Sequence, residues 1–307
     1  MNGNRKQYPI DQCALYNLTT KRRLEEKLFL QPGELKGVLR GVTYRDFRIP
    51  KKSGSFRQVS EPNKRLKLVQ KRVLRLLSAV EKPDWVMSAT PGKCHKDNAM
   101  FHASSDYMVT MDIESFYDRC ERERVYQFFK GRLRGPDDVA KALTDLSTYR
   151  QSIPTGAPTS QIVAYFAYEK MFDEINKVAK SHGCAFTLYV DDMTFSSGKP
   201  LSLGKLASEV DVVLRKYGHK AKMSKTKYYP KSACKLTTGA AISRQLLLVA
   251  PNDLRKRVLE NYDKLKKTGD KSLIATILGQ IGAAEFIEGR DMFPGIKQAV
   301  KAFGNAS

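Results

Sequence analysis

Cysteine is sparse and unpaired in this chain: Cys13, Cys94, Cys120, Cys184 and Cys234 fall singly along 307 positions, with no CxxC spacing. That pattern argues against a disulfide framework or a zinc knuckle, and it fits a reducing compartment, so a cytoplasmic location is expected. Histidine is scarcer still, at four, with no pair at i, i+4, so any metal site has to be built on carboxylates. No uncharged apolar run reaches the roughly 18 residues that a membrane helix requires. The opening MNGNRKQYPIDQ also lacks the apolar centre of a leader peptide, so neither a membrane partner nor secretion by the usual route is expected. Repeats and low-complexity tracts are absent, which argues against a solenoid.

What the chain has in excess is positive charge. Lys and Arg number 54 against 32 Asp and Glu, a formal net charge of +22. The excess is unevenly placed. Residues 1–82 hold 20 basic and 7 acidic side chains, residues 83–214 hold 15 and 18, residues 215–235 hold 8 and none, and residues 236–307 hold 11 and 7. Basic flanks around an acid-bearing centre suit a polyanion gripped by the flanks and offered to carboxylates, which need a divalent cation to approach phosphate. Charge runs are often solvated faces, but an excess this large favours nucleic acid.

The periodicities give an α+β pattern. Apolar residues recur at helical spacing in 11–40 and 62–82, for example Leu66, Val69, Val73, Leu76 and Leu77. Between them YRDFRIPKKSGSFRQVSEP reads as two strands around the Lys52–Ser53–Gly54 turn. Tyr107–Ile113, Phe186–Val190 and Met193–Ser196 read as strands, and 121–130, 137–149 and 159–181 as helices, with Thr159 or Ser160 suited to cap the last. The C-terminal part is again helical, over Asn252–Lys267 and Leu273–Ile287, with Gly279 and Gly282 weakening the second.

Two acid clusters carry the chemistry. Asp191 and Asp192 sit in a tight turn between two apolar strands, where adjacent carboxylates repel unless a cation lies between them. Asp112 ends the Tyr107–Ile113 strand and is followed by Glu114 and Asp118 at an expected helix start. A strand-end acid converging on a hairpin pair can hold two Mg²⁺ ions about 3.5–4 Å apart, the arrangement that serves nucleotidyl transfer. A DD dipeptide alone is more often a plain turn; its strand context and the distant Asp112 raise its weight.

With Tyr189–Val190–Asp191–Asp192 and Asp112, the sequence resembles the reverse transcriptases, in which a YxDD hairpin and a strand-end Asp form the palm active site. QSIPTGAPTSQ, residues 151–161, is similar to that family's PQGAPTSP segment, with Thr155 where Gln is usual, Gln161 where Pro is usual, and Gly156 retained. The hairpin IPKKSGSFRQV, residues 49–59, resembles the family's fingers. That likeness implies that Lys51 or Lys52, with Arg57, embraces the triphosphate, which needs point charge and forked donors opposite the metals. Tyr117 stands where the family has the aromatic wall that selects deoxyribose, and Lys225, in Ser224–Lys227, stands where a lysine faces the phosphates. Exposed edge lysines and ordinary core packing are the plainer readings of these residues.

Asn98–Ala99–Met100–Phe101–His102 resembles the NAxxH signature of the retron enzymes, and Thr237–Thr238–Gly239 approximates their VTG triplet. Taken singly, the first is a helix-capping Asn beside a satisfied His. The likeness implies that Asn98, His102, Thr237, Thr238 and Gly239 serve RNA binding. The basic run Arg255, Lys256 and Arg257, then Lys264, Lys266 and Lys267, either follows an RNA backbone from a thumb helix or is a solvated face. Tyr217, Tyr228 and Tyr229 either stack unpaired bases or fill a hairpin core.

The resemblance implies a right-hand polymerase with fingers over 1–105, palm over 106–238 and thumb over 239–307, the palm an antiparallel sheet packed on helices. It implies catalysis by Asp112, Asp191 and Asp192, two Mg²⁺ ions held by them and the Ile113 carbonyl, and dNTP substrates. It also implies a cognate structured non-coding RNA and its cDNA product as partners, priming from an internal guanosine 2′-hydroxyl, and a separate effector protein in antiphage defence. A group II intron-like reverse transcriptase and a non-catalytic RNA-binding scaffold are the rivals.

Overall fold

The computed structural model describes residues 7–51 and 54–305, so Lys52 and Ser53 of the expected turn lie outside the described residues. Two short helices, α1 (Lys21–Leu28) and α2 (Glu34–Arg40), open the chain. Thr20 caps the first by accepting from the Arg23 amide, and buried Glu25 accepts from the amides of Gly33 and Leu35 to fasten the turn to the second. Strands β1 (Tyr44–Pro50) and β2 (Phe56–Pro62) pair antiparallel as the basic hairpin. Helix α3 (Lys64–Ser78), capped by Asn63, buries Leu66, Val69, Val73, Leu76 and Leu77. Helix α4 (His95–Phe101) then leads into β3 (Tyr107–Asp112).

After β3 the chain makes only a short 3₁₀ turn at Tyr117–Arg119 where a helix start was expected, because Ser115 takes a left-handed φ of 49°. Helix α5 (Arg122–Gln127) runs on into a π turn, Phe128–Arg132, followed by α6 (Asp137–Ser147). The stretch expected as one helix over 159–181 is two, α7 (Ser160–Ala167) and α8 (Glu169–Ser181). Tyr168 breaks it: buried between them, its hydroxyl accepts from the Glu121 amide at 3.0 Å and donates to the Arg119 carbonyl at 3.2 Å. Thr159 precedes α7 but makes no capping bond, and the Ser160 hydroxyl donates instead to the Pro154 carbonyl at 2.6 Å.

Strands β4 (Ala185–Tyr189) and β5 (Asp192–Ser197) form the second hairpin, α9 (Leu203–Lys216) follows, and β6 (Lys227–Tyr229) completes an antiparallel sheet of order β4-β5-β3-β6. One face of this sheet, with Phe186, Leu188, Met193 and Phe195, packs into the main core with Met171, Phe172 and Ile175 of α8 and Leu206 and Val210 of α9. Burial of such side chains at about 25 cal/mol per Å² is the dominant force holding these strands in place.

A separate three-stranded sheet, β7 (Lys235–Thr237), β8 (Ala240–Ile242) and β9 (Leu248–Val249), leads to a helical end of α10 (Asn252–Thr268), α11 (Leu273–Glu288) and α12 (Pro294–Asn305). Helix α11 runs unbroken through Gly279 and Gly282, since Ile277 and Ile281 bury against Val258 and Leu265 of α10 and Val300 of α12. That packing offsets the cost of glycine in a helix, about 1 kcal/mol each.

Candidate active site

Strand pairing brings the three acids together. β3 and β5 run antiparallel with Asp112 directly opposite Asp192, and the Ile113 amide donates to the Asp191 carbonyl at 3.1 Å. The turn itself is strained: Val190 has a φ of 63°, a left-handed conformation that costs a β-branched residue on the order of 1–2 kcal/mol. Its amide donates to the Ser88 hydroxyl at 2.9 Å, which helps hold the turn.

The acids feel one another. Desolvation, then the charge of Asp112, raises the Asp191 pKa, with Lys225 and Arg57 partly offsetting this. Desolvation by the cleft walls, then Asp191 and Asp112, pushes Asp192 up to about 6, although this residue keeps an exposed edge. The Lys225 ammonium lies 2.5 Å from the buried Asp112 carboxylate. Desolvation works against that ammonium, but Asp112, Asp191 and Asp192 outweigh it and hold its pKa above the ordinary lysine value.

Whether the residues suit a divalent cation can be judged from the donor chemistry. Among the described residues no three carboxylate, thiol or imidazole side chains already enclose a single point as a ready-made cage. The three acids nevertheless form a close hard-oxygen set, with the Asp191 and Asp192 carboxyl pKa values raised and the Lys225 ammonium resting on Asp112, the kind of donor set that suits Mg²⁺ or Mn²⁺. A divalent cation must compete with protons here. Its affinity is therefore expected to fall as pH drops below about 6, by up to about tenfold per unit, and to level off above. Calorimetric titration of metal into the protein across that range checks this, and an unchanged affinity would contradict it. The sign for folding is opposite: a raised carboxyl pKa gives stability that is present below the unfolded value and lost as pH rises through about 6.

Other expected site residues surround this centre. Arg57 is exposed on β2, close enough to lower the pKa of Asp191, and Lys51 is exposed at the end of the same hairpin. Tyr117 is half-buried against Phe116, and desolvation and the Asp191 charge raise its phenol pKa. The Thr155 carbonyl accepts from the Ser60 amide at 2.7 Å, joining the 154–160 loop to β2. Gly156, at φ 115°, is needed for that approach: a Cβ there would meet Val59 Cγ1 at 2.8 Å.

Five residues that tie the hairpin down were not singled out from the sequence. Asp46 accepts from Ser60 at 2.6 Å and pairs with Arg150 at 3.0 Å, while Tyr149 stacks on Tyr44 with ring centroids 4.4 Å apart. The left-handed φ values of Arg150 and Gln151, 48° and 67°, aim this loop, and neither residue type signals them.

The residues assigned to RNA fall into two groups. Asn98 and His102 have no exposed surface, so in this conformation their side chains cannot touch RNA, and Asn98 lies within α4 rather than capping it. Thr237 is likewise buried, Thr238 half-buried and Gly239 exposed at the tip of the β7–β8 turn. On α10, Lys256 and Arg257 are exposed, whereas the Arg255 guanidinium is paired with the buried Glu288 carboxylate, bracing α10 against α11. The Tyr217 hydroxyl donates to Glu174 at 2.8 Å, and Tyr228 pairs with Val109 across β3–β6, so both have structural partners. Tyr229 likewise pairs with Met108.

An antiparallel sheet that sets acids from neighbouring strands beneath a basic hairpin, backed by helices, is the right-hand polymerase fold. Residues 49–239 match the family described as reverse transcriptase (RNA-dependent DNA polymerase), and the chain belongs to that family. Its curated relatives include retron reverse transcriptases. The retron Se72 reverse transcriptase of Salmonella heidelberg is 28% identical over 163 residues, 52% of this chain and 43% of that protein. The retron Ec83 reverse transcriptase of Escherichia coli is 24% identical over 262 residues, 80% of this chain and 83% of that protein. The chain thus spans under half of one curated relative and most of another. Among solved structures, apo telomerase from Candida tropicalis, truncated from its C-terminal domain, superposes with a TM-score of 0.50 at 16% identity, covering 68% of this chain and 55% of that one. Among the described residues no helix is long and apolar enough to cross a membrane.

Proposed function

We propose that this protein is an RNA-directed DNA polymerase of the retron kind, with fingers over 1–105, palm over 106–238 and thumb over 239–307. The observation that carries the reading is the register of β3 with β5, which sets Asp112 opposite Asp192 and beside Asp191. Asp112, Asp191 and Asp192, with the Ile113 carbonyl, would hold two Mg²⁺ ions. When bound, such ions lower the pKa of an attacking 3′-hydroxyl and neutralise charge on the leaving pyrophosphate. The chain's own groups do the rest. Arg57, with Lys51 or Lys52, faces the triphosphate, and Lys225, which pairs with Asp112 at the edge of the site, would supply a further donor to phosphate. Tyr117 forms the wall beside the sugar, where bulk at the 2′ position decides between deoxyribose and ribose. Thr155 and Gly156 shape the surface against the nascent pair.

The template, in this reading, is a cognate structured non-coding RNA, primed at an internal guanosine 2′-hydroxyl to give branched, RNA-linked single-stranded DNA. The exposed Gly239 turn and the Lys256–Arg257 face of α10 are the contacts proposed for it. The retron relatives and a Candida albicans telomerase structure solved with a fragment of telomeric RNA support an RNA partner. A separate effector protein and a place in antiphage defence complete the proposal. Purifying the protein from its host and sequencing the bound nucleic acid, before and after RNase treatment, tests it. Short DNA still joined to RNA is the expected result; RNA with no attached DNA would reject branched-DNA synthesis.

A further inference from the structure

The buried Asn98 and His102 belong to a lattice of side-chain hydrogen bonds on the face of the catalytic hairpin turned away from the main core. The His102 ring lies between the hairpin's two strands, with Nδ1 2.7 Å from the Ser196 hydroxyl and Nε2 2.7 Å from the Thr187 hydroxyl. Ser105 donates to Ser196 at 2.9 Å, which frees the Ser196 proton for Nδ1 and leaves the ring proton on Nε2, facing Thr187. Burial depresses the imidazole pKa to about 3, so the ring stays neutral.

A second cluster of hydrogen bonds lies on the same face, toward the small sheet. Thr194 and Thr237 hydroxyls meet at 2.9 Å, and the Asn98 amide donates to Thr237 at 3.4 Å and to Thr238 at 3.1 Å. Thr238 in turn donates to the His95 carbonyl at 3.1 Å. Thr187 pairs across the hairpin with Thr194, so these hydroxyls share one face on either side of the turn that carries Asp191 and Asp192.

We infer that Asn98 and His102 are positioning residues that lock the β4–β5 hairpin to the 237–239 turn, so that the placement of Asp191 and Asp192 depends on how that turn is held. The inference rests on the polymerase reading and deepens it. Apolar side chains would fill this space as well and would tolerate sliding. Hydrogen bonds in a dry interior are directional, and their loss is costly, so this lattice admits one registry of hairpin, α4 and turn. The turn's exposed Gly239 makes it the point at which a bound ligand can act on that registry.

The test uses the full chain on a generic primed RNA template at saturation. Thr187→Val and Thr237→Val delete one hydroxyl each while keeping shape, and Thr187→Ser and Thr237→Ser keep the hydroxyl. The Val variants are expected to lose about tenfold in kcat, with the KM for dNTP and the Kd for RNA within about twofold of wild type, and the Ser variants to stay near wild type. Thr194→Val combined with Thr237→Val is expected to lose no more than the worse single variant, because both break the same bond. Wild-type kcat in the Val variants, equal losses for Val and Ser, or multiplied losses in the double variant would overturn the inference alone. Weakened RNA binding at unchanged kcat would also overturn it, in favour of direct RNA contact. Should Thr187→Val fail to fold by thermal melting, the Thr194 and Thr237 variants decide. A wild-type chain that extends nothing would overturn the polymerase reading and this inference with it.

Discussion

Replacing Asp191 and Asp192 together by asparagine is expected to cut primer extension by on the order of a thousandfold or more, since a cation at a phosphoryl centre supplies several kcal/mol of charge stabilisation. Asparagine keeps the size of each side chain and removes the charge, so the β4–β5 hairpin remains packed through Phe186, Leu188, Met193 and Phe195. RNA affinity should therefore hold within a fewfold. Desolvation, and after it repulsion from the neighbouring acids, raises the Asp191 and Asp192 carboxyl pKa values, so both charges are unfavourable in the folded chain. The double variant is accordingly expected to melt no lower than wild type near neutral pH in the absence of divalent metal. Extension assays, RNA-binding assays and thermal melting separate these outcomes. Undiminished extension would remove Asp191 and Asp192 from the chemistry.

RNA affinity should collapse with salt. With 54 basic side chains against 32 acidic ones, and an acid-free basic run over 215–235, the proposed RNA contact would displace counterions from a phosphate backbone. If it contacts roughly six to ten phosphates, affinity falls by about 10³–10⁵ between about 50 and 200 mM salt. Removing Lys256 and Arg257 together is expected to shallow that slope by about two in the logarithmic plot while weakening binding to all RNA sequences alike. Arg255→Ala should behave differently, losing thermal stability, because its guanidinium serves the buried Glu288. A salt response that stays flat would contradict the electrostatic reading.

Much of the catalytic hairpin was legible because apolar runs bounded by turn residues write strands directly into sequence: Tyr107–Ile113 and Phe186–Val190 each fall within a residue of β3 and β4. Amphipathic α3 and α10 were legible for the same reason at helical period. Local patterns do not record how distant segments meet. Tyr168 reads as one more apolar position in a long helix until the Arg119 carbonyl and Glu121 amide are placed beside it. The very short strands β7–β9 are too brief for a period to show, and their pairing depends on Ala241 meeting both Leu236 and Val249. Asn98 and His102 stood out by their spacing, but their burial follows from threonine and serine hydroxyls far along the chain that no local signal marks. Val190 in a left-handed conformation runs against its own preference, as residues at working sites often do.

The contact between Gly156 and Val59 has an architectural consequence. Strand β2 meets the 154–160 loop here with no room for even one methyl group, so their separation is set by a hydrogen atom where other residues carry carbon. Trimming Val59 relieves the tightest contact at this joint, but the Ser60 carbonyl oxygen would still meet a Cβ at 3.2 Å, and position 156 still demands a residue at ease with its inverted backbone.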